Sequence, residues 1–292
     1  MECATLANGV KMPMQGFGVF QVPPEDTERV VLDAVAAGYR AFDTAYTYGN
    51  EEALGSALRK AIADGTVTRD ELFVATKAWI TQMGEAGAEQ AFRESLSRLG
   101  LSYLDLYLVH MPLGDYYGAW RAMERLYDEG LVRAIGVCNF DGARLIDLCR
   151  NVRIRPMLDQ VERHPRFQRA EDLSVMAELG VQPQAWAPFS EGMHGMFENP
   201  VLADIAAKHG KTPAQVILRW DAQCGVATAA KTTHAERMAQ NLGIWDFELD
   251  GADMEAISAL DTGVPSMLDC SRPAEVRRLY GYLDDPQLTT LG

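Results

Sequence analysis

The stretch "GYRAFDTAYTYGNEEALGSALRKAIADG", residues 38–65, decides the architecture. After Gly38, "RAFDTA" is a short apolar run of the kind that forms a buried strand. Leu54, Ala57, Leu58, Ala61 and Ile62 then recur at helical spacing behind Asn50, an adequate helix cap, and Gly65 stops the helix. The stretch is one strand–helix unit with a loop between. That loop holds Tyr48, five residues after Asp43, and no rule of turn chemistry requires a phenol there. The pair is either structural or half of an acid–base site.

The same beat runs outward in both directions. Upstream, Asn8-Gly9 between short alternating segments signals a hairpin. "MQGFGVF" reads as a strand, and Val30, Val31, Ala34 and Val35 share a helical face. Downstream come the strand "ELFVATK", a helix through Phe92, Leu96 and Leu99, and the strand "LDLYLVH". Asp115 caps a helix bearing Trp120, Met123, Leu126 and Tyr127, and "VRAIGV" follows. The strands "MLDQVE", "QPQAWA" and "VATAAK" complete eight, each separated from the next by helical periodicity. Alternation of this kind means a parallel sheet, and eight units in this length mean a (β/α)8 TIM barrel. The N-terminal hairpin precedes it. The tail from Gly263, with Pro265, Pro273 and Pro286, loses the rhythm and is expected to be irregular; its apolar residues Met267, Leu268, Leu279, Tyr280, Tyr282 and Leu283 must bury somewhere. No linker or repeat divides residues 1–292, so one domain is expected.

Composition narrows the function. The chain has 292 residues, 48% of them hydrophobic and 23% charged, as in a globular protein. A net charge of −14 argues against binding nucleic acid or an anionic membrane, so an anionic ligand needs a local positive cluster. Five cysteines, an odd number without paired spacing, suggest reduced, mostly buried thiols in a cytoplasmic protein. The N-terminus lacks a signal-peptide pattern, and no run of about 18 apolar residues exists to span a membrane.

Active sites of such barrels lie at the C-terminal ends of the strands. There the sequence places Asp43, with Tyr48 in the loop after it, then Lys77, His110, Asn139, Gln160, Trp186 and Lys231. Singly, each has an ordinary structural use: a loop-bonding Asp, a solvated Lys, a core His. An Asp, a Lys, a His and a Tyr at one mouth form a coherent chemistry. A free phenol titrates near 10, and a neighbouring ammonium is expected to lower that value, with a carboxylate fixing the ammonium. Asp43, Lys77 and Tyr48 make such a relay, and His110 can orient the same substrate oxygen. Protonating an oxygen to reduce a carbonyl also requires electrons, as hydride from a cofactor.

The motifs "GYRAFDTAYTYGNE", "VATKAW", "LYLVHMP", "IGVCNF", "DQVERHP" and "AAKTTHAERMAQN" occur in order, and over nearly its whole length the chain resembles an aldo-keto reductase, similar to the diketogluconate reductase branch. The resemblance implies that Asp43, Tyr48, Lys77 and His110 are the catalytic tetrad, with Tyr48 as the acid. It implies NADPH as cofactor. Asn139 and Gln160 match residues that hold the nicotinamide carboxamide, Cys138 stands where a serine is usual, and Trp186 matches the ring that stacks on the nicotinamide. Lys231, Thr232 and Arg237 fall on the segment that grips the 2′-phosphate, and Gln240 and Asn241 match adenine contacts. The family's tail folds over the barrel mouth. Departures fall around the pocket and the phosphate loop: Met111 and Phe20 replace tryptophans, Arg163 a tyrosine, and Ala230 a proline.

Other readings lack their signatures. "GFGVFQ" has no third glycine for a dinucleotide fold, no tyrosine has Lys four residues on, and the five histidines are scattered without metal-ligand spacing, so no metal is expected. A catalytically silent NADPH-binding sensor or regulatory subunit is the remaining alternative. The sequence therefore points to a monomeric, cytoplasmic, NADPH-dependent reductase of small aldehydes, dicarbonyls or activated ketones. Phe20, Trp79 and Met111 are its expected substrate walls, and Tyr116 and Tyr117 have equal claims as rim packing.

Overall fold

The computed structural model describes residues 2–284. Asn8-Gly9 turns the chain between β1 (Cys3–Thr5) and β2 (Lys11–Pro13), which pair antiparallel. Gly9 sits at φ 87°, a conformation that glycine adopts without steric cost. Then β3 (Gln15–Gly18), β4 (Ala41–Asp43), β5 (Phe73–Ala78), β6 (Leu104–Val109), β7 (Val132–Cys138), β8 (Leu158–Glu162), β9 (Gln182–Trp186) and β10 (Ala227–Ala230) close a barrel. Every neighbouring pair is parallel, and β10 closes the ring against β3. The expected eight-stranded barrel is the architecture found.

Helices α1 (Pro24–Ala37), α2 (Glu51–Ala63), α3 (Glu85–Leu99), α4 (Tyr116–Asp128), α5 (Gly142–Asn151) and α6 (Ala170–Leu179) connect the strands in turn. Two helices, α7 (Pro200–His209) and α8 (Pro213–Gln223), precede β10, and α9 (Ala235–Leu242) and α10 (Gly251–Ser258) follow it. Their apolar stripes and the buried strands form one continuous core, with a satellite under α7, α8 and α10. The strands β5 and β6 are buried at every residue, as parallel strands covered on both faces must be.

Register positions the site. Asp43 lies opposite Ala75, and Lys77 lies two residues further along β5, on the same face. Their side chains therefore converge at the barrel mouth.

Three expectations need correction. Asn50 does not cap α2 with its side chain; its Nδ2 donates to the Val19 and Val22 carbonyls, and its Oδ1 accepts from Thr44 Oγ1. It ties the loop after β3 to the loop after β4. The thiols are not mostly buried: Cys138 and Cys149 are, Cys3 and Cys224 are exposed and Cys270 is intermediate, because Cys3 lies on the hairpin and Cys224 just beyond α8. The tail is irregular only to 272 and then forms α11 (Pro273–Asp284). Pro273 opens that helix, where a proline lacks nothing, and Val276, Leu279 and Tyr280 repeat at helical spacing. Leu279 is 2% exposed and packs with Trp79, Ile80, Met111 and Leu113 at the mouth. The expectations for the side chains of Tyr282 and Leu283, and for Pro286, lie outside the described residues.

Candidate active site

A cavity of about 540 Å³ opens at the C-terminal ends of the strands, lined by Asp43, Tyr48, His110, Asn139, Gln160 and Trp186 among others. Lys77 lies beneath it, fully buried. Its Nζ donates to Asp43 Oδ1 at 2.5 Å, to the Thr44 carbonyl at 2.9 Å and to Tyr48 Oη at 3.5 Å, which uses all three ammonium hydrogens. Asp43 Oδ2 accepts from Gln160 Nε2 at 2.9 Å, and the same nitrogen donates to Gln184 Oε1 at 2.8 Å.

The electrostatics follow from burial and pairing. Burial opposes the charge on Lys77, but Asp43, with smaller contributions from Tyr48 and Cys138, outweighs it and raises the ammonium above its ordinary value. For Tyr48, burial wins. The phenol is pushed up to about 12; Lys77 pulls it down in part, while Asp43 pushes it up. The expected pull of Lys77 is therefore present, but burial outweighs it and Asp43 opposes it, so the net shift is upward. Burial and Lys77 both hold His110 well below the ordinary histidine value, so its imidazole is neutral. The His110 ring meets Trp79 edge-on at 4.8 Å, and no described group reaches its buried Nδ1.

Asn139, just past β7, takes φ 64°, a left-handed conformation that asparagine tolerates. Its Nδ2 donates to the His110 carbonyl at 2.9 Å and its Oδ1 accepts from Trp186 Nε1 at 2.8 Å. Gln160 commits both amide hydrogens within the protein; its Oε1 accepts from the Cys138 thiol at 3.9 Å and keeps a second lone pair for a ligand donor. Cys138 is wholly buried beside it, behind the lining. On the far side the cavity is bordered by Lys231 and Arg237, both exposed. Thr232 is buried and accepts from the His234 amide, Gln240 is exposed on α9, and Asn241 on that helix bonds Tyr39; none of the three lines the cavity.

The expected substrate walls Phe20, Trp79 and Met111 do line it, and the Phe20 ring lies 4.9 Å from that of Tyr48. Tyr116 instead packs edge-on against Phe140, and Tyr117 donates to Asp147. Arg163 is buried away from the cavity, paired with Asp221 and stacked on Trp220.

One contributor was missed by sequence reasoning. The loop after β9 supplies Phe189, Glu191, Gly192 and Phe197, with Glu191 at φ 52° and Gly192 at φ 77°; the glycines of "SEGMHGMF" were its signal. The tail, which the resemblance placed over the barrel mouth, supplies the expected apolar residues Met267, Leu268 and Leu279, and with them Arg278. Together these elements form a partly apolar pocket over a proton donor, with amide and cationic groups beside it. Such a site can polarise and protonate a carbonyl oxygen while an elongated anionic cofactor lies across the mouth.

Among the described residues, no helix is long and apolar enough to cross a membrane. The model of the Aldo/keto reductase family matches residues 14–262. The chain is 46% identical over 261 residues to the uncharacterized oxidoreductase YtbE of Bacillus subtilis, covering 88% of this chain and 92% of that one. It is 45% identical over 263 residues to the glyoxal reductase of the same organism, covering 89% and 93%. The crystal structure of a Bombyx mori aldo-keto reductase in complex with NADP superposes with a TM-score of 0.88 at 32% identity, over 92% of this chain and 95% of that one.

Proposed function

The chain belongs to the aldo/keto reductase family, and from that premise we propose that it is an NADPH-dependent reductase of small aldehydes, dicarbonyls and activated ketones. The observation that carries the reading is the Asp43–Lys77–Tyr48 chain beneath an apolar cavity, with a neutral His110 beside it. The residues at the mouth fit the cofactor: Gln160 Oε1 keeps a lone pair to accept from a carboxamide, and Lys231 and Arg237 offer cations to a phosphate in an otherwise acidic protein. Bound NADPH supplies a hydride to the carbonyl carbon.

The protein's own groups do the rest. Tyr48 gives its phenolic proton to the carbonyl oxygen, and Lys77 stabilises the phenolate that remains. Asp43 keeps Lys77 charged and in place. Neutral His110 donates a hydrogen bond that orients the same oxygen. Asn139 and Gln160 would hold the nicotinamide end, with Trp186 beside them and Cys138 packed behind. Lys231 and Arg237 would take the 2′-phosphate, with buried Thr232 next to them, and Gln240 on the open face of α9 would meet the adenine, with Asn241 buried behind it against Tyr39. Phe20, Trp79 and Met111 exclude water from the reacting oxygen, which strengthens each electrostatic contact. The glyoxal reductase among the relatives supports dicarbonyls within the substrate class. The protein acts in the cytoplasm as a monomer.

The test is NADPH oxidation across a panel of aldehydes, dicarbonyls and ketones. Saturable turnover of small aldehydes is expected. Tight NADPH binding with no turnover of any member would favour the sensor reading instead.

A further inference from the structure

Glu162, the last residue of β8, is 1% exposed and faces the mouth two residues beyond Gln160, on the same side of the strand. Oε1 accepts from the amides of Ser266 at 2.6 Å and Met267 at 3.2 Å, and Oε2 from those of Met267 at 3.3 Å and Leu268 at 3.0 Å. Three successive backbone N–H groups of the tail thus converge on one buried carboxylate, and His164 Nε2 lies 3.2 Å from Oε1 on its other side. The side chains that follow from this anchoring, Met267 and Leu268, line the cavity, and Leu268 packs on the cluster of Trp79 and Met111.

The tail has other attachments too: Leu279 is buried against Trp79, Ile80, Met111 and Leu113, and polar contacts lie at either end. Thr262 bonds the Arg166 carbonyl through its amide and its hydroxyl, and the Gly114 amide donates to Tyr280 Oη at 3.1 Å. Both are exposed polar contacts, where water competes. The Glu162 contact lies between them; its carboxylate is buried and its bonds to the tail are part-buried. We infer that Glu162 is a positioning residue for substrate discrimination: its carboxylate latches the tail through backbone amides, and so fixes the wall formed by Met267 and Leu268. Because the latch grips main chain, the wall's side chains can change without loss of the anchor. An acceptor-only group suits three inward amides, whereas a glutamine would turn an NH2 toward donors. The inference rests on the reading of the cavity as the substrate site.

The experiment compares wild type with Glu162→Gln and Glu162→Asp in the full chain. Amide hydrogen exchange of residues 264–270 is followed beside that of β6, with kcat and KM for a small and a bulky aldehyde and the Kd for NADPH. In Glu162→Gln the tail amides should exchange about tenfold faster or more, with β6 and the NADPH Kd unchanged. The preference between the two aldehydes should narrow, mainly through KM. Glu162→Asp keeps the charge but is one methylene short, and should fall between; it decides the matter if the glutamine variant does not fold. Tail amides as protected as in wild type, or loosened amides with an unmoved aldehyde preference, would overturn the inference. Exchange needs no turnover. A wild type inert toward every aldehyde therefore defeats the functional reading, and the exchange comparison still decides the latch.

Discussion

The Lys77 ammonium stands 3.5 Å from the Tyr48 hydroxyl but 2.5 Å from Asp43 Oδ1. The lysine is thus first the partner of the carboxylate and only second that of the phenol. Burial, with Asp43 adding to it and Lys77 only partly opposing it, makes Tyr48 a high-affinity proton holder at about 12, with a cation ready to receive the phenolate when the proton leaves.

That value has a pH consequence with a definite sign. Reduction needs the protonated phenol, which raising the pH removes only as the pH nears 12. The kcat for reduction should therefore be flat from about pH 6 to about pH 10, with no step near the ordinary histidine value because His110 stays neutral. Oxidation of the product alcohol needs the phenolate, and should rise up to about tenfold per pH unit over the same range. A reduction profile that falls between pH 6 and 8 would contradict the assignment.

Replacing the phenol tests it directly. Tyr48→Phe keeps the ring that packs on Phe20 and removes only the proton donor. The kcat should drop by about 10²-fold or more, while NADPH binding, followed by fluorescence, should be nearly unchanged. More than about a tenth of wild-type kcat would refute Tyr48 as the acid.

Cofactor choice is expected to rest on Lys231 and Arg237, two of the cations that border the cavity. Arg237→Ala should mainly raise KM for NADPH, and wild type should favour NADPH over NADH. Equal kcat/KM for the two cofactors in wild type would reject the clamp.

The tail should matter for selectivity more than for closure, since β10 already pairs with β3 before the tail begins. Deletion of residues 263–292 should leave a barrel that binds NADPH, with a narrowed preference between small and bulky aldehydes. An unchanged ratio of their kcat/KM values would make the tail mere packing.

A stability prediction comes from Gly55, inside α2. In an exposed helix Gly→Ala stabilises by about 1 kcal/mol. Here a Cβ would lie 2.2 Å from the Leu99 carbonyl oxygen, where α2 crosses the end of α3. Backbone cannot yield cheaply, so Gly55→Ala should destabilise by about 1–3 kcal/mol and lower Tm. A raised Tm would show that the two helices part without cost.

The sequence by itself determined the barrel and the placement of its polar strand ends. Helical and strand periods are local, and a residue's position along a strand sets which end of a parallel barrel it reaches. Asp43, Tyr48, Lys77, His110, Asn139, Gln160, Trp186 and Lys231 could therefore be named from spacing, and the order of the motifs pointed to the family. Only the tertiary structure decided what each group does there. Asn50 looked like a cap by its position, but its amide is drawn to carbonyls of the loop after β3. Tyr48 looked acidified by Lys77, but burial, with Asp43 adding to it, outweighs that pull. Thr232 and Asn241 belong to the expected cofactor segment, yet their side chains bond His234 and Tyr39. Glu162, four residues before Arg166 in sequence, meets amides more than a hundred residues away. Proton affinity and hydrogen-bond choice depend on every charge and dipole within a few ångströms, and most of those neighbours are remote along the chain.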